Sequence, residues 1–145
     1  MKKAFTLIEL MIVIAIIAII AAIAIPNLLE ARKHGNEASA IGSMRTINAS
    51  LAIYIERNSA QAYGTLTDLE TDGYVDNVLG GGAKQGYDFV ITPDSTQPEY
   101  QYTADAEPAV FDQTGNRYFF TNQSGVIRFG SESPASSTSA AIGGK

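Results

Sequence analysis

Residues 2–26 read Lys2-Lys3-Ala4-Phe5-Thr6-Leu7-Ile8-Glu9-Leu10-Met11-Ile12-Val13-Ile14-Ala15-Ile16-Ile17-Ala18-Ile19-Ile20-Ala21-Ala22-Ile23-Ala24-Ile25-Pro26. Between Phe5 and Ile25 only Thr6 and Glu9 are polar. A bilayer needs about 20 such residues to be crossed by a helix. Ile and Val are abundant in the run, but a backbone in lipid must satisfy its own hydrogen bonds, so helix wins over strand. Lys2 and Lys3 ahead of it put the N-terminus in the cytoplasm by the positive-inside bias.

Beyond Pro26 the composition is that of an ordinary globular domain. The chain has 145 residues and a net charge of −5, which leaves no general basic footprint for nucleic acid. Without Lys2 and Lys3, 8 basic residues would face 15 acidic ones. There is no cysteine, so disulfides and thiolate metal sites are excluded.

Three readings compete for the N-terminal run. A secretory signal peptide would use the small-x-small pattern Ala22-Ile23-Ala24 and release a domain starting at Ile25. The run is longer than the ~7–15 apolar residues such signals carry, and a carboxylate has no use there. A plain membrane anchor fits the length but leaves Glu9 unexplained. A carboxylate inside a spanning helix costs about 2.5–3.5 kcal/mol on insertion scales, less near an end.

The third reading supplies Glu9 with a partner. Lys2-Lys3-Ala4-Phe5-Thr6-Leu7-Ile8-Glu9 closely resembles the class III signal of type IV pilins and of the pseudopilins of type II secretion. The resemblance implies cleavage between Ala4 and Phe5 by a prepilin peptidase, then N-methylation at Phe5. The family's usual residue before the cut is Gly, where this chain has the still small Ala4. It also implies that Glu9 attracts the Phe5 amine of a neighbouring subunit in the filament. In a low-dielectric bundle that pairing offsets the cost of burying both charges and sets the axial register. Without the resemblance, Glu9 would be a carboxylate snorkelling to the membrane edge. Pro26, in Ala24-Ile25-Pro26-Asn27, matches the family pattern too: it either terminates the helix, or kinks or melts it on leaving the bilayer.

After Pro26 a helical stripe resumes through Ile41, Met44, Ile47, Leu51, Tyr54 and Ile55, with Arg32, Lys33, Glu37, Arg45, Asn48 and Glu56 mostly elsewhere. Asn58-Ser59 is the expected end. Leu66, Leu69, Tyr74, Val75, Val78 and Leu79 suit a short helix or turns, and Gly80-Gly81-Gly82 should open a flexible loop ending near Gly86. Strand alternation follows at Tyr87–Thr92 and Tyr100–Thr103. Tyr118–Thr121 and Val126–Phe129 flank a hairpin signal, Asn122-Gln123-Ser124-Gly125. The expected fold is α+β: a long N-terminal helix, apolar in its first half and amphipathic in its second, packed on an antiparallel sheet of about four strands. The aromatics then serve as core and cross-strand pairs. The Ser/Gly-rich tail should be disordered. The implied domains are a leader, 1–4; a transmembrane or filament-core helix, 5–27; a stalk helix, 28–58; a head, 59–129; and a tail, 130–145.

Little in the chain suggests chemistry. His34 is the only histidine, beside Arg32 and Lys33, and reads as a solvated stalk residue. Asp112, Thr114 and Asn116 have the alternate spacing of calcium loops without the later bidentate Glu, which favours a turn. The glycosylation triplet occurs at Asn48-Ala49-Ser50 and at Asn122-Gln123-Ser124, a pattern that also arises by chance. No nucleophile, base and orienting group stand together.

The expectation is therefore a non-enzymatic, cofactor-free and metal-free filament subunit. It would sit in the inner membrane as a precursor and at the surface or in the periplasm when mature. Its partners would be other copies of itself, the prepilin peptidase and the pilus assembly machinery. A major pseudopilin and a membrane-anchored or secreted binding module are the alternatives.

Overall fold

The computed structural model describes residues 5–131 and 133–143. The element order is α1 (Leu7–Arg57), α2 (Leu66–Thr71), α3 (Asn77–Gly80), then β1 (Ala83–Lys84), β2 (Tyr87–Pro93), β3 (Tyr102–Pro108), β4 (Tyr118–Asn122), β5 (Arg128–Gly130) and β6 (Ala140–Ala141). The chain divides into two compact units, Met1–Arg32 and Lys33–Lys145.

In the first unit the only described element is the start of α1. It is long and apolar enough to cross a membrane by length and composition. Its large apolar side chains, from Phe5 to Leu29, are all exposed. Pro26 lies inside the helix and does not end it. The ring removes one backbone donor, so the Ala22 carbonyl lacks its usual partner.

In the second unit α1 becomes one-sided. Glu37, Ala40, Ser43, Met44, Ile47, Ser50 and Leu51 are buried, at steps of three and four. Met44, Ile47 and Leu51 join Tyr87, Phe89, Ile91, Tyr102, Ala104, Ala106 and Phe119 in one core. Central strand β3 brings Tyr102 and then only the alanine methyls of Ala104 and Ala106 into the core, which leaves volume there to the helix and to aromatics of flanking strands. Leu66, Leu69 and Leu79 close the core from α2 and α3. A reciprocal Thr65/Asp68 capping box starts α2.

The sheet is an antiparallel meander in the order β1-β2-β3-β4-β5-β6. It has six strands where about four were expected, because β1 and β6 are two-residue strands. The glycine-rich stretch is ordered rather than a loop. Gly80 ends α3, and Gln85 and Gly86 both take positive φ, 51° and 72°, in a tight turn from β1 to β2. That conformation matches the twist of the flanking strands. Tyr100 stands exposed before β3, which starts at Tyr102 and runs on through Ala104-Asp105-Ala106.

The tail also differs from expectation. Ala140–Ala141 pair with Phe129 and Arg128, Ala135 is buried, and Ile142 packs on the core. Arg128 Nη1 donates to the Ser139 carbonyl at 2.8 Å, and Ile142 N donates to the Ile127 carbonyl at 2.8 Å. Composition undercounts such a segment, because backbone bonds to the exposed edge of β5 offset its ordering entropy.

Candidate functional site

Lys2, Lys3 and Ala4 of the expected signal lie outside the described residues. Phe5 is 88% exposed. Thr6 caps α1 in a way the sequence reading missed. Its backbone N and its Oγ1 both donate to Glu9 Oε2, at 2.9 and 2.7 Å, and Glu9 N donates back to Thr6 Oγ1 at 3.3 Å. The pattern Thr6-Leu7-Ile8-Glu9 is a capping box, a signal present in the sequence. It satisfies orphan donors at a helix end that apolar surroundings would otherwise leave unpaired. Both Thr6 bonds fall on Oε2, so Oε1 accepts no hydrogen bond among the described residues. The carboxylate is thus oriented by its own chain while one oxygen stays available.

A second polar constellation lies in the head. Glu37, expected on the polar side of the stalk, is 2% exposed. Its Oε2 accepts from Arg117 Nε at 2.9 Å and lies 2.8 Å from Arg117 Nη2, and its Oε1 accepts from Asn116 N at 2.9 Å. His34 Nδ1 lies 3.7 Å from the same carboxylate. Burial here is tolerated because every oxygen has a donor and the charge is paired. The Arg117 guanidinium also sits over the rings of Phe119 and Phe129, 5.6 Å from each centroid.

Around this pair the 109–117 loop is strapped to α1. Lys33 Nζ donates to Asp112 Oδ1 at 2.8 Å and Asn36 Nδ2 to the Thr114 carbonyl at 2.9 Å. Tyr87 donates its hydroxyl to the Arg117 carbonyl at 2.8 Å. Burial, then the Glu37 charge, pushes that phenol's titration upward. Asp112, Thr114 and Asn116 therefore fall in a turn, with Asp112 at φ 64°. Among the described residues no three acidic or imidazole groups gather where they could hold a metal ion.

The comparisons with known proteins bear on the N-terminal segment. Residues 1–25 match the family described as the prokaryotic N-terminal methylation motif. The type IV wide pilus major component PilA4 of Thermus thermophilus is 74% identical over 35 residues, 24% of this chain and 27% of that protein. The match thus spans about a quarter of the curated relative's length. No solved structure matches. In this segment the chain is type IV pilin-like and carries the prepilin methylation motif.

Proposed function

We propose that the protein is the structural subunit of a type IV pilus-like surface filament. The observation that carries this reading is a membrane-length helix, exposed on all sides, bearing one oriented carboxylate within the matched methylation motif. Such a helix requires lipid or other copies of itself to cover it.

In this reading a prepilin peptidase cuts between Ala4 and Phe5 on the cytoplasmic side and Phe5 is N-methylated. Cleavage creates a positive amine at Phe5, four residues from Glu9. Thr6 holds Glu9 Oε2, and Oε1 is left for the Phe5 amine of a neighbouring subunit. An unpaired carboxylate would be penalised in the filament interior, so only one axial register is favoured. Pro26 is where the helix already lacks a backbone bond, and there it opens most readily as the subunit leaves lipid. The precursor sits in the inner membrane until the assembly machinery extracts it, and the mature subunit resides at the cell surface. Its role is structural rather than enzymatic.

The direct test is peptide mass spectrometry of protein sheared from the cell surface. An N-terminal peptide beginning at N-methylated Phe5, in a filamentous fraction, is the expected result. A start at Ile25 means a secreted domain instead. Intact Met1, confined to membranes, means a plain anchor.

A further inference from the structure

The chain contains two glycosylation triplets, and the structure separates them. Asn48 lies inside α1, and its side chain is fully committed. Its Nδ2 donates to Thr121 Oγ1 and to the Gly125 carbonyl, each at 3.1 Å, and its Oδ1 accepts from the Tyr102 hydroxyl at 3.0 Å. The triplet's hydroxyl is committed as well: Ser50 is 6% exposed and donates to the Tyr74 carbonyl at 3.0 Å. A transferase can reach neither group without unfolding the head.

Asn122 is placed in the opposite way. It ends β4 at the hairpin tip, and Gln123, Ser124, Gly125 and Val126 beyond it are all exposed. Gly125 N donates to the Asn122 carbonyl at 2.8 Å, and Gly125 takes φ 70°, which closes the turn. Asn122 Oδ1 accepts from Ser124 N at 3.0 Å and from Ser124 Oγ at 2.6 Å. Both bonds load the amide oxygen. The amide nitrogen donates to no described residue, so it stays open to a reaction partner. Beside it lies a trough of about 430 Å3, lined by residues that include Thr92, Asp94, Gln101, Thr103 and Ser137. These groups suit the hydroxyls of a first sugar.

We propose that Asn122 is an acceptor for N-linked glycosylation, with a polyprenyl-pyrophosphate-linked glycan as the donor. The Asn122 nitrogen attacks the anomeric carbon of the first sugar. The N–C bond forms as the bond from that carbon to the pyrophosphate oxygen breaks. The lipid pyrophosphate departs with the electron pair, and one amide proton passes to a base on the transferase. The Ser124 hydroxyl that the triplet requires is already placed beside the acceptor amide, bonded to its oxygen at 2.6 Å. This site rests on the head being carried across the membrane by the N-terminal helix, which the filament, anchor and secreted readings all provide, so it stands or falls apart from filament assembly.

Trypsin isolates the two triplets on separate peptides, Thr46–Arg57 and Tyr118–Arg128. The experiment is mass spectrometry of the full-length protein purified from the cells that make it. Tyr118–Arg128 is expected to gain the mass of whole sugar residues while Thr46–Arg57 keeps its bare mass. Ser124→Ala should remove the shift and Ser124→Thr should keep it. A bare Tyr118–Arg128 peptide overturns the proposal, as does a shift that survives Ser124→Ala. A shift confined to the peptide from Phe129 onward also overturns it, since that would place sugar on the tail hydroxyls.

Discussion

Glu9 and Glu37 are carboxylates on one helix, and what each finds on its own chain differs. Glu37 is fully matched by Arg117 and the Asn116 N–H, so its role is complete within one copy. Losing the charge in Glu37→Gln should lower stability by about 2 kcal/mol. In a domain of this size that corresponds to roughly 10 °C in Tm. Arg117→Ala should cost more, about 3–5 kcal/mol, because it strands a buried charge. Thermal unfolding of the full chain in detergent gives the ranking, and equal effects would mean the pair is not truly buried. Asp105 presents the reverse case. It lies on β3 between Val90 and Phe120 in register, and Asp88 and Glu107 face one another two positions away. Burial first, then Glu107, pushes its carboxyl from 3.8 up to about 6. A folded value above the unfolded one means folding favours the protonated form. This contribution is therefore complete below about pH 4 and lost as pH rises through 6. Asp105→Asn should raise Tm at pH 8 and flatten the decline that runs from about pH 4 to about pH 6. A variant whose decline matches the wild type would assign the dependence to other groups.

At the scale of elements, one glycine governs the 109–117 strap. A Cβ at Gly115 would overlap the buried Tyr87 hydroxyl and its ring edge. That ring is fully packed and its hydroxyl is tied to Arg117, so it cannot swing aside. Gly115→Ala should therefore cost about 2–3 kcal/mol by overpacking. It should also loosen the Phe111–Tyr118 stack, whose centroids lie 5.8 Å apart. Near-ultraviolet circular dichroism before and after the substitution reads both effects, and an unchanged spectrum and Tm would show that the loop yields freely. The same elements show what the sequence could reveal. Helix α1 was legible because an apolar run followed by a 3–4 stripe has few other solutions. The β4–β5 hairpin was legible from its turn residues. Strand β3 was largely hidden, since Ala104-Asp105-Ala106 lacks β-branched or aromatic residues and is held in place by its neighbours. Strands β1 and β6 were hidden because their stability comes from backbone pairing to an adjacent edge. The Glu37–Arg117 pair joins positions 80 apart, and no local pattern marks such a partnership. The Thr6/Glu9 box was written in the sequence as Thr-x-x-Glu, but that stretch was read only for the signal it resembles.

For the whole molecule the decisive property is apolar surface that a single copy leaves uncovered. From Phe5 to Leu29 the large side chains are 49–88% exposed among the described residues. In the filament reading lipid covers them before assembly and other copies cover them afterwards. These environments treat Glu9 differently. In lipid the carboxylate is a cost of about 2.5–3.5 kcal/mol, less near the helix end, so Glu9→Ala should insert at least as well as the wild type. In the filament reading the carboxylate holds a neighbour's amine, so the same change should abolish or severely reduce sheared filaments. Thr6→Ala tests the intermediate step. It leaves the charge in place but removes the hydroxyl that orients Oε2 and caps the helix, worth about 1 kcal/mol. Filament yield should fall only in part, and Thr6→Ser should restore it. Membrane fractionation and quantified shearing of the three variants separate insertion from assembly. Wild-type filament levels from Glu9→Ala would remove the register role of the carboxylate. Loss of membrane insertion in the same variant would instead give Glu9 a part in targeting.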